Sequence, residues 1–209
     1  MLPLVKALLA ISMVWAAAAL AAQVLAARGR GRRDYSRPTG DPRRGIIYNF
    51  TTAMLPGHKE TIRLHPVEFG IGLLMHLGVI CSLLAAIVLL VHGDSGIRFA
   101  SVIRPLAAAA LVSGAVLSIR RAVSAKLRAL SVPDDYVASL ATCGLLAMAA
   151  FLQLDARGQM LFMLYTALLF VYMPLGKLRH VVFFFVARGD YGRRLGYRGV
   201  YPPAAAGME

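Results

Sequence analysis

The 209-residue chain is 58% hydrophobic, and its 23 Lys and Arg against 10 Asp and Glu give a formal net charge of +13. Soluble domains sit nearer half apolar; here the mean hydropathy is +0.65, and the apolar residues fall in blocks of roughly 20, the length that crosses a bilayer. The positive charge lies mostly between those blocks, with neither stacking aromatics nor a reading module beside it, so nucleic acid is excluded as a partner.

The first block, from about Leu2 to Ala27, ends in a VLA-A stretch that resembles a small-residue cleavage site. Its apolar run is far longer than the 7–15 residues of a signal-peptide core, so a retained helix is expected. A loop follows that opens with the turn formers DYSRPTGDPRRG and continues as IIYNFTTAMLPGHKETIRLHP. That second half is too long for a mere connector, and it is expected on the membrane surface or against a partner. Further spans are expected at about Pro66 to Val91, Phe99 to Ile119, Tyr136 to Leu154 and Met160 to Val186. The fold class is therefore an all-α integral membrane bundle of five transmembrane helices. It forms a single membrane domain over 1–209, with a basic loop at 28–65 and a tail at 187–209.

The loops alternate in charge. Arg28, Arg30, Arg32, Arg33, Arg37, Arg43, Arg44, Lys59 and Arg63 fill the first loop. Arg120, Arg121, Lys126 and Arg128 fill the third, and Arg188, Arg193, Arg194 and Arg198 crowd the tail. The second loop (HGDSGIR) and the fourth (DARGQ) have one arginine each. By the positive-inside rule the N-terminus lies outside, while the basic loops and the C-terminus are cytoplasmic. Topology and lipid headgroups account for most of these arginines, and a docking surface for a cytoplasmic subunit is the sharper alternative.

Cys81 and Cys143 are the only cysteines, and both fall inside apolar spans. Two thiols make neither a disulfide framework nor a Cys-ligated iron–sulfur cluster, so any such cluster belongs to a partner.

Two histidines stand out. His76 sits in the run VEFGIGLLMHLGVICSLLAAIVLLV, and His180 near the end of MLFMLYTALLFVYMPLGKLRHVVFFFV. An ionisable ring in hydrocarbon is expensive unless something binds it, which makes each a functional candidate. At 1.5 Å per residue His76 lies about 15 Å and His180 about 10 Å from the cytoplasmic ends of their spans. Two imidazoles at similar depth on separate helices suit the axial positions of a haem b. Gly72 and Gly176 each stand four residues before a histidine and are expected on its helical face, where they would let a flat macrocycle approach. Gly78 follows closely, and Pro174 is expected to bend the last span. A structural ring hydrogen-bonded to another helix is the alternative. His65 shares the face of His76 if its helix begins early enough, whereas His58 and His92 fall in loops.

The residues around both histidines resemble the gamma subunit of membrane-bound respiratory nitrate reductase. In that family a Pro-x-[Gly/Ser]-[Lys/Arg]-Leu-x-His stretch precedes a basic cytoplasmic tail, and its histidine binds haem b. Here Pro174, Gly176, Lys177, Leu178 and His180 match every specified position. The stretch LLMHLGVICSLLAA is similar to the family's second helix, where a Phe-His-x-Gly pattern carries the partner ligand; Met75 replaces the phenylalanine and Gly78 is kept. SIRRAVSAKLRALSVPDDYV resembles the family's arginine-rich connection between its third and fourth helices.

The gamma subunits hold a second haem nearer the outer face. The corresponding positions here are Ala86 and Phe162, neither able to ligate iron. The resemblance therefore implies one haem b, held through the metal ligands His76 and His180. Arg120, Arg121 and Arg179 are its candidate propionate partners; plain positive-inside charge is the alternative for each.

The expected function is a haem b membrane subunit of a respiratory redox complex in the cytoplasmic (inner) membrane. It would carry electrons between the quinone pool and a cytoplasmic iron–sulfur subunit, as in related heterodisulfide-reductase-like complexes, with substrate chemistry elsewhere and no catalytic residue of its own. A haem-free anchor or quinone-binding subunit is the second reading. A small transporter is the third, and would need paired polar groups or broken helices in repeated halves.

Overall fold

The computed structural model describes residues 1–30, 35–58, 60–92, 96–151 and 155–203. Arg32, Arg33, Lys59, most of the loop after His92, the expected end of the fourth span at Leu154 and the last residues of the tail lie outside them. All regular structure among the described residues is helical. The helices are α1 (Leu2–Gly29), α2 (Pro42–Phe50), α3 (Glu60–Leu64), α4 (Pro66–His92), α5 (Gly96–Val123), α6 (Ala125–Ala129), α7 (Pro133–Phe151), α8 (Ala156–Tyr172) and α9 (His180–Tyr197). Single 3-10 turns occupy Thr52–Met54, Pro56–His58 and Lys177–Arg179.

Among the described residues, four helices (α1, α4, Val102–Val123 of α5, and α7) are long and apolar enough to cross a membrane, and α8 with the segment Lys177–Tyr197 makes a fifth run that is broken and bent. The chain is thus a multi-pass membrane protein. The first four spans fall where the apolar blocks predict them. The fifth does not run unbroken from Met160 to Val186. Pro174 has no N–H to continue the ladder and its ring crowds the preceding turn; α8 stops at Tyr172, whose carbonyl accepts from the amides of Leu175 and Gly176 at 2.9 and 3.0 Å.

Two compact units divide the chain: Met1–Ala19 with Val67–Leu178, and Leu20–Pro66 with Arg179–Glu209. The larger unit packs small residues inside. Ala85, Ala86, Ala107, Ala110, Ala138 and Ala149 are buried, while Val102, Val112, Leu140 and Leu168 face outward. That inversion suits lipid, which is as apolar as a core and rewards close backbone approach instead. A Cβ on Gly78 of α4 would collide with that of Ala110 on α5 and come within 3.2 Å of Leu146 Cδ2. Buried hydroxyls turn back on their own helices: Ser82 Oγ donates to Gly78 O at 2.7 Å, Thr142 Oγ1 to Ala138 O at 3.0 Å and Thr166 Oγ1 to Phe162 O at 2.8 Å. No hydroxyl of that set is left wanting a partner where water is absent. Arg104 Nε donates to Ala150 O at 2.9 Å, capping the last turn of α7.

In the smaller unit the first loop and the tail form one fold. Asp41 accepts from the Arg43 amide at 2.8 Å with Pro42 behind it, so DPRRG, which reads as turn formers, starts α2 instead. α2 lies against α9 through glycines. A Cβ on Gly192 would sit 2.7 Å from Ile46 Cα and 2.8 Å from Gly45 O, and one on Gly196 would sit 2.6 Å from Asp41 O. Asn49, buried, donates through Nδ2 to Arg188 O at 2.6 Å, and Arg188 returns its Nε to Asn49 O at 3.0 Å and a terminal nitrogen to Asn49 Oδ1 at 3.0 Å. The loop's packing partner is therefore the chain's own tail.

Candidate functional site

His76 lies on an exposed face of α4, one turn after Gly72. Its Nδ1 is 2.7 Å from Gly72 O. A carbonyl oxygen only accepts, so Nδ1 carries the hydrogen and, in the neutral ring, the lone pair is on Nε2. A metal-ligating histidine is commonly oriented in this way, with the distal ring nitrogen tied to a carbonyl or carboxylate. A Cβ on Gly72 would meet nothing within 4 Å. Donor chemistry and open space on this face of α4 both fit a haem ligand.

His180 is the first residue of α9, also exposed, with Arg179 at the cap position. It follows the break rather than riding on an unbroken span. Gly176 stands in the turn, so Gly176 and His180 do not share a helical face as the fifth run suggested. His76 belongs to the larger unit and His180 to the smaller.

The break that precedes His180 is firmly held within the larger unit. Tyr172 Oη donates to Asp134 Oδ1 at 2.5 Å. Lys177 Nζ donates to Asp135 Oδ1 at 2.6 Å, and Arg121 pairs with the same oxygen at 3.5 Å while reaching Ser131 Oγ at 3.1 Å. Trp15 Nε1 donates to Val171 O at 3.3 Å, the carbonyl whose i+4 amide turns back to Tyr172. Trp15, Tyr172, Asp134 and Asp135 went unnoticed as sequence features, yet two signals were there. Trp15 is the only tryptophan, and Asp134–Asp135 is the only adjacent pair of carboxylates in the chain.

The arginines divide. Arg120 pairs with Glu68 at 3.2 Å, joining the last turn of α5 to the first turn of α4, and Arg121 pairs with Asp135. Two of the three candidate propionate partners thus bind carboxylates of the chain itself. Arg179 is exposed. His65 stands before Pro66, outside α4, so it does not ride on the helix of His76. Ala86 and Phe162, where the resembling family places its outer ligands, are fully buried in the apolar core. Among the described residues no three His, Cys, Asp or Glu gather as a metal site.

No family model matches the chain, and neither a curated protein nor a solved structure does.

Proposed function

We propose that this chain is the haem b membrane subunit of a respiratory redox complex, carrying electrons between the quinone pool and a cytoplasmic iron–sulfur subunit. The observation that carries this reading is the His76 Nδ1 to Gly72 carbonyl bond of 2.7 Å, which fixes the ring and directs its lone pair to Nε2. His76 and His180 supply the two imidazoles for the iron of a single haem b. A haem so held supplies a one-electron carrier of low-spin character. The chain's own work is to orient the ligands. Gly72 sets the tautomer of one, while Asp134 and Asp135 hold the turn from which α9, and with it His180, departs. Arg179 remains the propionate partner, since Arg120 and Arg121 already have carboxylates. Full burial of Ala86 and Phe162 supports one haem rather than two. The basic loops set the N-terminus outside and the C-terminus in the cytoplasm of a cell bounded by this inner membrane.

The pairing of Arg120 and Arg121 within the chain favours a second reading, a haem-free anchor or quinone-binding subunit. A transporter is less well supported: one run is broken, but α4, α5 and α7 are each continuous.

The test is a reduced-minus-oxidised visible spectrum of the purified chain and of His76→Ala and His180→Ala. The expected result is a low-spin b-type spectrum with about one haem per chain, lost in both variants. A wild-type chain without haem leaves the anchor reading. Two haems per chain would overturn the single-haem count and bring back His65.

A further inference from the structure

The smaller unit contains a cavity of about 1030 Å³, partly open, between the end of α1, the start of α2 and the middle of α9. Its size is at the upper end of the range of ligand pockets, roughly 300–1,000 Å³. The lining has two chemistries. Ile46, Phe183, Phe185 and Val186 are apolar, and Arg28, Arg193 and Arg194 are basic. Asp190 is the one acidic residue among the described lining, and it already serves both neighbours, accepting from Arg193 at 2.7 Å and pairing with Arg194 at 2.8 Å. Among the described residues, three guanidinium groups against one carboxylate leave two positive charges in the lining. That remainder suits a phosphate, which guanidinium binds in a planar, two-point manner.

A free phosphate has no use for the aromatic and aliphatic wall, whereas an acylated one does. The cavity also begins at Ala27 and Arg28, the terminal turn of a helix long and apolar enough to cross the membrane, which is the depth of lipid headgroups. The geometry points to a binding site for one anionic phospholipid, its phosphate among Arg28, Arg193 and Arg194 and an acyl chain along Ile46, Phe183 and Phe185. The packing of loop on tail is what builds it, because Arg28 of α1, Ile46 of α2 and the α9 residues line it together. A lipid held there would fix the loop–tail unit to the membrane surface. The inference stands whether or not the chain carries haem.

The experiment is native mass spectrometry of the full chain in an uncharged detergent, titrated with dioleoyl phosphatidylglycerol, dioleoyl phosphatidylcholine or inorganic phosphate. The expected result is one phosphatidylglycerol bound about tenfold more tightly than phosphatidylcholine, as one to two extra positive charges predict. In the Arg28→Gln/Arg193→Gln/Arg194→Gln variant the two lipids should bind alike. The ion pairs it removes are exposed and one turn apart, so the fold is expected to survive. Arg30→Gln, outside the lining, should leave the preference unchanged. Equal binding of the two lipids by the wild type overturns the proposal without recourse to any variant. So does a triple variant that keeps the preference, or inorganic phosphate that binds as tightly as the lipid.

Discussion

The two units solve one problem, bringing helices within backbone distance, by different means. In the larger unit, Gly78 of α4 meets the side chain of Ala110, and the buried hydroxyls of Ser82, Thr142 and Thr166 bond to their own preceding turn. In the smaller unit, Gly192 and Gly196 of α9 meet the backbone of α2, and the helices are laced by reciprocal bonds between Asn49 and Arg188. The hydroxyls of the first arrangement are satisfied within their own helix, as a segment inserted into lipid favours. The second depends on both helices at once. The larger unit should therefore tolerate single substitutions at helix contacts better than the smaller.

The sharpest way to break that comparison is Gly192→Leu. Its Cβ has backbone atoms at 2.7 and 2.8 Å, so nothing flexible can give way and α2 must move. Overpacking of a tight contact costs about 3 kcal/mol at the upper end of its usual range. The expected outcome is rapid proteolysis within residues 35–58 while the larger unit keeps its helicity. A variant as resistant as the wild type would show that α2 and α9 are not packed backbone to backbone.

Asn49→Ala should have the next largest effect. It removes the amide that donates to Arg188 O at 2.6 Å and the Oδ1 that accepts from the guanidinium at 3.0 Å, at a buried position. Losing hydrogen bonds to a charged partner costs about 2 kcal/mol. Hydrogen exchange of the α2 amides should accelerate by about thirtyfold on that figure, with α5 and α7 unchanged. The Arg188 guanidinium also lies over the Phe184 ring of the same helix, 5.6 Å from its centroid, so its orientation on α9 is partly kept in the variant.

How far the sequence foretold this fold follows from the same contrast. Apolar runs reveal spans because lipid imposes one requirement on every residue in them, and α1, α4, α5 and α7 fall within a few residues of expectation. Pro174 told of a bend, but a proline alone does not say whether a helix kinks or stops. The answer lay in Asp134 and Asp135, distant in sequence, which hold Tyr172 and Lys177 on either side of the break. Contact between loop and tail was harder to see. Gly192 and Gly196 stand at helical spacing and mark a close approach, yet nothing local names the loop as their partner. For the candidate site, the histidines were legible as ionisable rings in apolar runs. The Gly72 carbonyl that orients His76 was not, since a backbone acceptor leaves no mark in the sequence.

The smallest expected effect distinguishes two glycines six residues apart on α4. Gly78→Ala places a Cβ against Ala110 and 3.2 Å from Leu146 Cδ2, so stability in detergent should fall by about 1 kcal/mol. Because the obstacle is a methyl group, Ala110→Gly in the same chain should recover part of that loss, and a double-mutant cycle reads the coupling. Gly72→Ala adds a methyl group where nothing lies within 4 Å. It should raise stability slightly, by about 0.5 kcal/mol, through the better helix propensity of alanine. The acceptor for His76 Nδ1 is the backbone carbonyl, so the ring keeps its orientation in that variant. If Gly72→Ala instead destabilises the apoprotein as much as Gly78→Ala does, another helix packs against this face, and α4 has no open flank for a flat cofactor beside His76.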